Sequence, residues 1–413
     1  MIMEGADYSV VFRSPNPKEI CAYSPSVIRH RGKIIVSMDA GGKSVATLDG
    51  CDRGDEFLWR GRIYISDDDG KTFRFVDNFP FEHARLVADG DEALYIIGQR
   101  HELMIIRSLD GGETWEEPVA LTSGEHYHAA PTNYIEHNGY IYLTLEKDIH
   151  RDMTCWNVGN LTPVVLKGKK GTDLTKKENW VFSESLSFRQ ACKAAELDYF
   201  GVPFYKTPET ASELYGRARC APPGWLETNI VKIYDESHYW YDENAFHLFM
   251  RAHTGSTNYA CMLKIRENED GSLTPELETV PSGKKILYLP MPGGQMKFHV
   301  VYDKVSKLYW LLSTQSTDSM TRAELLPEDR FNLPNNERQR LQLHFSKNMV
   351  DWRFACMVDQ GNAQREARHY AAMTVDGDDL LIVSRSGDKD SNCAHDCNLI
   401  TFHKISDFRR LIY

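Results

Sequence analysis

Short apolar segments with alternating polar positions recur along the whole chain, and each one follows a turn signal such as Asn-Gly or Asp-Gly-Asp. These segments have the length of strands, whereas the 3.6-residue repeat of an amphipathic helix is nearly absent. A turn followed by an apolar strand is typical of a β-hairpin. The pattern therefore predicts an all-β protein built from a repeated hairpin unit. The clearest apolar segments are 33–38, 93–97, 140–145, 246–250, 308–313 and 380–383.

A turn motif of the form Ser-x-Asp-x-Gly-x-Thr-aromatic occurs at 66–73 and again at 108–115. The two copies begin 42 residues apart, and a degraded copy, Ser-Lys-Asn-Met-Val-Asp-Trp, occupies 346–352. In such a turn the Asp accepts backbone N–H bonds, the Gly takes a positive φ, and Ser and Thr close the ends. The spacing matches one four-stranded blade of a β-propeller, which takes ~40–50 residues.

This motif resembles the Asp-box, or BNR repeat, of the sialidase (neuraminidase) superfamily of β-propellers. The resemblance implies an all-β fold with six blades, and five or seven blades are the alternatives for a chain of 413 residues. We expect one domain over 1–413, with long insertions at about 148–179, 188–225 and 316–336. In the family these turns lie on the outer rim, so they indicate the fold and not the reaction.

Composition narrows the classes of partner. The formal net charge of −11 has the wrong sign for a broad nucleic-acid-binding surface. No apolar run has the length of a membrane span, and the first residues resemble no signal peptide. The nine scattered cysteines are typical of a reduced protein, so we expect a cytoplasmic location. Aromatic residues make up 11% of the chain, which suits strands and sugar binding.

The resemblance also implies a set of reacting groups. In sialidases an Asp is the acid/base, a Tyr activated by a Glu is the nucleophile, and three Arg bind the substrate carboxylate. Matching the family's strands places the acid/base at Asp39, the Glu at Glu227 and the nucleophile at Tyr370. A neutral phenol suits this attack because a second carboxylate would be repelled by that of the substrate. The Glu must remove the phenol proton, since free Tyr has a pKa near ~10.

The same matching places two of the three arginines at Arg251 and Arg340, with Arg338 in reserve. The family's first arginine falls at Tyr23, so this arginine is missing from its place. Histidines are unusually frequent around the matched segments, and neutral imidazole can donate or accept protons near neutral pH. Further candidates for substrate contact are His83, Arg85, His128, His253 and His369.

These residues favour a glycoside hydrolase that releases sialic acid or a related acidic sugar from an oligosaccharide by an exo-acting, retaining mechanism. The histidines leave open a second hypothesis, a lyase or hydrolase that acts on uronate glycans through His and Tyr. A non-catalytic, glycan-binding propeller is the third. No cofactor is expected, and Cys393 and Cys397 lack a second pair, so no metal is expected either. The turn at 293–294 would aim Gln295, Lys297 and His299 at the same pocket.

Overall fold

The alternating segments form strands that lie in six antiparallel sheets arranged around one axis. In this computed structural model the described residues are 3–51, 57–128, 130–151, 157–191, 224–252, 257–318, 321, 325 and 337–413. Each sheet is one blade, and its innermost strand contacts the innermost strands of neighbouring blades. The prediction of a six-bladed, all-β propeller is therefore confirmed, and the alternatives of five and seven blades are wrong.

In five of the blades the strands run outward from the axis in chain order, and in blade six the first strand of the chain is the outermost one. Blade one has β2 (Cys21–His30), β3 (Lys33–Gly41), β4 (Trp59–Ser66) and β5 (Arg74–Phe79). Blade two has β6 (Glu82–Asp89), β7 (Ala93–Arg100), β8 (Glu102–Ser108) and β9 (Val119–Ala120). Blade three has β10 (Tyr127–His128) and β11 (Tyr134–His137), which both pair with β12 (Tyr140–Asp148), then β13 (Leu161–Lys169) and β14 (Trp180–Phe182).

The remaining three blades follow the same plan. Blade four has β15 (Trp225–Val231), β16 (Ala245–Ala252), β17 (Tyr259–Glu267), β18 (Leu273–Glu276) and β19 (Tyr288–Pro290). Blade five has β20 (His299–Asp303), β21 (Leu308–Thr314), β22 (Arg340–Ser346) and β23 (Trp352–Gln360). Blade six has β24 (Arg368–Asp376), β25 (Asp379–Ser386), β26 (Leu399–Ile405) and β1 (Ser9–Arg13).

Helices are few and short in the described part of the chain. One α-helix, α1, covers Phe188–Ala191. Single turns of 3-10 helix cover Val45–Thr47, Asn157–Asn160, Lys177–Asn179 and Phe408–Leu411. None of these described helices has the length and apolar character needed to cross a membrane.

The six apolar segments of the sequence are the second strands of the six blades, namely β3, β7, β12, β16, β21 and β25. A second strand is covered at both edges by its own blade and on both faces by neighbouring blades. It therefore buries nearly every residue, as in β16, where all eight positions from Ala245 to Ala252 are buried. Burial on both faces produces a nearly continuous apolar run, which is why these strands carry the clearest signal.

The expected insertion at 148–179 is wrong. It contains β13, which pairs with β12 at nine successive positions and is a regular strand of blade three. Pro163 and Gly168 lie inside this strand, and both residue types weaken a strand signal in a sequence. Most of the other two expected insertions, 188–225 and 316–336, lies outside the described residues.

The repeated turn motifs connect the third and fourth strands on the outer side of their blades. In the first copy the backbone N–H of Thr72 donates to Asp68 Oδ1 at 2.9 Å, and the Ser66 hydroxyl donates to the same oxygen at 2.8 Å. The hydrogen bond from the Thr72 hydroxyl lowers the pKa of Asp68 to about 2. The Phe73 ring packs 5.4 Å from the ring of Phe402 in blade six, so the turn also joins two blades.

Blade six is completed by β1, which pairs with β26 as the outermost strand of the sheet. Phe12 of β1 is buried, with its ring centroid 6.4 Å from that of Tyr64 in blade one. The neighbouring Val10 is 38% exposed. The closed circle of six blades thus depends on β1, a strand that is distant in sequence from its partner β26.

Replacing Phe12 with Ala should lower the free energy of unfolding by about 3–5 kcal/mol, because a large buried ring leaves a cavity. Urea denaturation followed by tryptophan fluorescence measures this loss. Val10→Ala, on the same strand but exposed, is the matched control and should cost much less. Equal losses for both variants would show that β1 contributes little to closing the ring.

Candidate active site

Four innermost strands carry a β-bulge near their first residues, and a residue with positive φ lies in each bulge. The register shifts occur in β2, β6, β15 and β24. A positive φ is uncommon for residues other than glycine, and such residues outside tight turns cluster at functional sites. The four residues are Ser24 (φ 45°), His83 (φ 53°), Glu227 (φ 62°) and Tyr370 (φ 48°). Because the innermost strands all start at the same end of the axis, the bulges place these residues around one pocket.

The bulges bring together residues that are far apart in sequence. Arg251 Nη1 donates to the Tyr370 hydroxyl at 2.9 Å and lies 3.5 Å from Glu227 Oε1. Arg251 belongs to β16 and is paired with Leu226, the residue before Glu227. The Glu227 and Arg251 side chains are 2% and 1% exposed. Tyr370 and Glu227, predicted as nucleophile and base, thus meet around one guanidinium.

The environment of Tyr370 keeps its phenol protonated. Burial raises the pKa of Tyr370, and the charge of Glu227 together with a hydrogen bond to its side chain raises this pKa further. The positive charges of Arg251 and Arg338 oppose the rise. A phenol in this state attacks only when a base removes its proton, and Glu227 is in contact to do so.

Two more arginines surround Tyr370. The Arg338 guanidinium lies 5.8 Å from the centre of the Tyr370 ring, and that of Arg385 lies 5.0 Å from it. Both side chains are buried, and within the described residues Arg338 Nη2 has no hydrogen-bond partner. With Arg251, three guanidinium groups therefore lie around one phenol.

Arg385 is the arginine that the sequence analysis missed. It lies on β25, paired with His369, and its guanidinium lies 4.2 Å from the centre of the Tyr23 ring. Tyr23 stands where the family's first arginine falls, so this ring supports a guanidinium that comes from blade six instead. The available signal was an arginine within an apolar second strand, because a buried charge needs partners.

Arg340, predicted to bind the substrate carboxylate, does not belong to this cluster. Its guanidinium binds the carboxylate of Glu337 and lies 3.3 Å from the Thr317 hydroxyl. Arg338 takes the place near Tyr370 because its carbonyl accepts the backbone N–H of Arg368 at 2.7 Å. That bond ties residue 338 to the start of β24.

His369 and Arg85 are also placed differently from the prediction of substrate contact. His369 is fully buried, with Nδ1 3.1 Å from Arg338 Nη1 and Nε2 3.4 Å from Cys397 Sγ. Arg85 donates to the carbonyls of Asn133 and Ala130 at 3.0 and 3.1 Å. His369 therefore supports Arg338, and Arg85 ties blade two to blade three. His253 lies outside the described residues.

The opposite side of the pocket is formed by histidines and an indole. The His83 ring lies 5.4 Å from that of His128 and 5.3 Å from that of Trp59. Burial lowers the pKa of His83 well below its ordinary value, and the charge on His128 lowers it further. Burial likewise lowers the pKa of His128. Both imidazoles are therefore neutral at pH 7, which suits hydrogen bonds to uncharged hydroxyl groups.

Two carboxyl groups lie beside this histidine pair. Asp39 is 1% exposed, and its Oδ2 accepts the backbone N–H of His83 at 2.7 Å. Burial raises the pKa of Asp39 well above its ordinary value, and the charge on Glu82 raises it further. Burial raises the pKa of Glu82 to about 7. Glu82, which the sequence analysis missed, is the more exposed of the two carboxyl groups.

A cavity of about 340 Å³ lies farther along the axis, lined by later residues of the innermost strands. Tyr134, Tyr234, His299 and Tyr302 belong to its wall, whereas the bulge residues do not. Among the described residues, no group of three His, Cys, Asp or Glu side chains could hold a metal ion.

Comparison with known proteins gives matches among solved structures alone. No protein-family model and no curated protein sequence matches the chain. A mutant of Trypanosoma rangeli sialidase displaying trans-sialidase activity matches with a TM-score of 0.55 and 12% identity, over 100% of this chain and 61% of that one. The chain has a sialidase-like β-propeller fold. The sialidase chain is longer, and this chain spans about three fifths of its length.

The chain also matches solved structures of an arabinanase and an arabinofuranosidase. The α-L-arabinanase of Penicillium chrysogenum, complexed with arabinobiose, matches with a TM-score of 0.50 and 12% identity, over 97% of both chains. The α-L-arabinofuranosidase of Fusarium graminearum matches with a TM-score of 0.51 and 10% identity, over 98% of both chains. At this level of identity the likeness establishes the fold and no activity.

Proposed function

We propose that the protein is a retaining glycoside hydrolase that releases a carboxylate-bearing sugar from the non-reducing end of an oligosaccharide. One observation carries this proposal, the presence of Arg251, Arg338 and Arg385 around Tyr370. The fold's neighbours include a sialidase, an α-L-arabinanase and an α-L-arabinofuranosidase. Three buried guanidinium groups favour the acidic sugar, because a carboxylate accepts charge-assisted hydrogen bonds from arginine and a neutral arabinose offers none.

The three guanidinium groups bind the substrate carboxylate. Arginine is suited to this contact because its planar fork donates two parallel hydrogen bonds to a carboxylate. The net charge of the whole chain is −11, so the positive charge is local to the pocket. A positive cleft in an acidic protein concentrates the field on an anionic ligand and directs the ligand to the pocket.

The bound sugar places its anomeric carbon against the Tyr370 hydroxyl. Glu227 accepts the phenol proton as the oxygen attacks, the bond from the anomeric carbon to the leaving oxygen breaks, and a carboxyl group protonates that oxygen. A glycosyl-tyrosine intermediate results. Water then attacks the anomeric carbon, Glu227 returns its proton to the phenol oxygen, and the deprotonated carboxyl group takes a proton from the water.

The proton for the leaving oxygen comes from the Asp39–Glu82 pair. Asp39 was the predicted acid, but it is buried and one of its oxygens accepts the His83 backbone N–H. We therefore assign proton delivery to Glu82, which is the more exposed group of the pair and has a pKa of about 7. Asp39 holds the bulge that carries His83 beside it.

The assignment predicts that kcat/KM falls as the pH rises through about 7, because Glu82 must be protonated to act as the acid. Glu82→Gln should lower kcat about 100-fold at pH 6 and remove this fall. A pH–rate profile from pH 5 to 9 on an acidic aryl glycoside measures both effects. Glu92→Gln, an exposed change in the next turn, should keep the wild-type profile. A Glu82→Gln profile that still falls near pH 7 would assign the acid elsewhere.

The test of the proposed function is product analysis on a panel of sialosides, uronosides and neutral arabinosides. Hydrolysis gives a free acidic sugar, whereas a lyase gives an unsaturated uronate that absorbs ultraviolet light. The lyase hypothesis needs a base beside the sugar carboxylate, and both nitrogens of His369 are engaged by protein groups. Release of arabinose alone, formation of an unsaturated product, or binding without turnover would each overturn the proposal.

A further inference from the structure

Glu146 of β12 holds the residue that follows Glu227. Its Oε1 accepts both the backbone N–H of Thr228, at 2.9 Å, and the Thr228 hydroxyl, at 2.7 Å. Glu146 is 1% exposed and belongs to blade three, whereas Thr228 belongs to blade four. A buried carboxyl group of one blade therefore fixes the bulge of the next.

The carbonyl of Thr228 is held from the same blade. It accepts a hydrogen bond from the hydroxyl of Thr132 at 2.6 Å and another from the hydroxyl of Thr144. The backbone N–H, the backbone carbonyl and the side-chain hydroxyl of Thr228 are thus all bonded to blade three. Glu227, with its positive φ, cannot relax while the next residue is fixed in this way.

Lys297 holds the residue that follows Tyr370. Its Nζ donates to the carbonyl of Ala371 at 2.5 Å, and the side chain is 1% exposed. Lys297 lies two residues before His299, where the pairing of β20 with β21 begins. Glu227 likewise lies two residues before Asn229, where the pairing of β15 with β16 resumes after the bulge. Burial lowers the pKa of Lys297 to about 7, and the charge of Glu227 opposes this.

A third bulge is held in the same manner. Asp39 of blade one accepts the backbone N–H of His83 in blade two. Three bulges are therefore held by a buried ionisable side chain from the preceding blade. Burying such a group is costly where an apolar residue would serve for stability alone, so the arrangement points to a role in positioning.

We propose that Glu146 and Lys297 are positioning residues that hold Glu227 and Tyr370 at reacting distance from each other. The inference rests on the proposed function of that pair. It assigns the two residues no contact with substrate. They act through Thr228 and Ala371, the residues next to the reacting groups in the chain.

The experiment compares Glu146→Leu and Lys297→Met with Glu146→Gln. The first two remove the hydrogen bonds, so kcat should fall about 100-fold while KM changes less than about threefold, since small misplacements of reacting groups slow chemistry strongly. The Gln oxygen still accepts from Thr228, so Glu146→Gln should restore kcat to within about fivefold. Glu136→Leu and Lys304→Met, both at exposed positions, are the matched controls and should keep wild-type kcat.

A second readout is independent of turnover. The protein is labelled with [¹³Cζ]tyrosine, and the Tyr370 signal is assigned by its absence in Tyr370→Phe. At pH 7 this signal should shift in Glu146→Leu and Lys297→Met and stay in place in Glu146→Gln. If Glu146→Leu fails to fold, Thr228→Val, which removes the hydroxyl bond alone, replaces it and should give a smaller shift in the same direction.

The outcomes separate the two proposals. A wild-type kcat in Glu146→Leu or Lys297→Met, with activity lost in Tyr370→Phe, overturns the positioning role and leaves the function intact. A Gln variant as slow as the Leu variant overturns it as well. A protein that hydrolyses no acidic glycoside, but shows the expected shifts of the tyrosine signal, overturns the function and supports the positioning role.

Discussion

Tyr370→Phe should lower the turnover of an acidic glycoside about 10⁴-fold or more, because the variant lacks the oxygen that bonds to the anomeric carbon. The fold should survive, since the change removes one hydroxyl group that accepts from Arg251. The free energy of unfolding should therefore change by about 1–3 kcal/mol at most. Single-turnover kinetics and urea denaturation of the same preparations measure the two effects.

The matched control for this variant is Tyr302→Phe, which removes a phenol from the wall of the cavity farther along the axis. It should leave turnover unchanged. Mass spectrometry of wild-type protein quenched during turnover should show one added sugar on the peptide that contains Tyr370. Turnover in Tyr370→Phe within tenfold of wild type would rule out Tyr370 as the nucleophile.

Arg338→Met should lower kcat/KM for a carboxylate-bearing substrate by about 100- to 1,000-fold, because truncating one partner of a buried charge pair costs about 2–5 kcal/mol. Arg340→Met should change it less than about threefold, since that guanidinium is occupied by Glu337. The two arginines are two residues apart, so the pair tests the structure against the sequence-based assignment. Steady-state kinetics on one substrate measures both variants.

The same comparison with the methyl ester of the substrate isolates the contact between Arg338 and the substrate carboxylate. With the carboxylate charge removed, the ratio of wild-type to Arg338→Met activity should shrink to about tenfold or less. This result would show that the arginine acts on the carboxylate and not through the fold. An unchanged ratio, or an Arg340→Met loss as large as that of Arg338→Met, would contradict the assignment.

The fold could be predicted because the sequence pattern that indicates it is contained within single strands. Each blade has one strand that is buried on both faces, and the resulting apolar run is visible without knowledge of its neighbours. The turn copies at 66–73 and 108–115 add the length of one blade. The sequence does not predict the strand β13, because Pro163 and Gly168 interrupt its pattern of apolar residues. The pairing with β12 that stabilises β13 is a tertiary contact.

The site could be predicted only in part. The resemblance to the sialidase family predicts Glu227 and Tyr370, and the structure brings their side chains together with Arg251. The choice between Arg338 and Arg340 depends on the bond from the Arg368 backbone N–H to the Arg338 carbonyl, which no sequence pattern reports.

Arg385 was missed for a different reason. Its place beside Tyr370 comes from the pairing of β24 with β25 and from the support of the Tyr23 ring, and both are contacts between distant residues. The positive φ of the bulge residues is likewise a property of the assembled ring. Sequence patterns locate the strands that carry such groups, and packing between blades decides which groups meet.

The closure of blade six by β1 ties the pocket to the order in which the chain is made. Tyr370 and Arg385 lie on β24 and β25, and β1, the strand that completes their sheet, is synthesised long before them. The outer edge of that sheet is therefore completed only when β26 has been made and can pair with β1. A nascent chain that has not yet reached β24 carries Arg251 and Glu227 without the Tyr370 hydroxyl to which Arg251 donates.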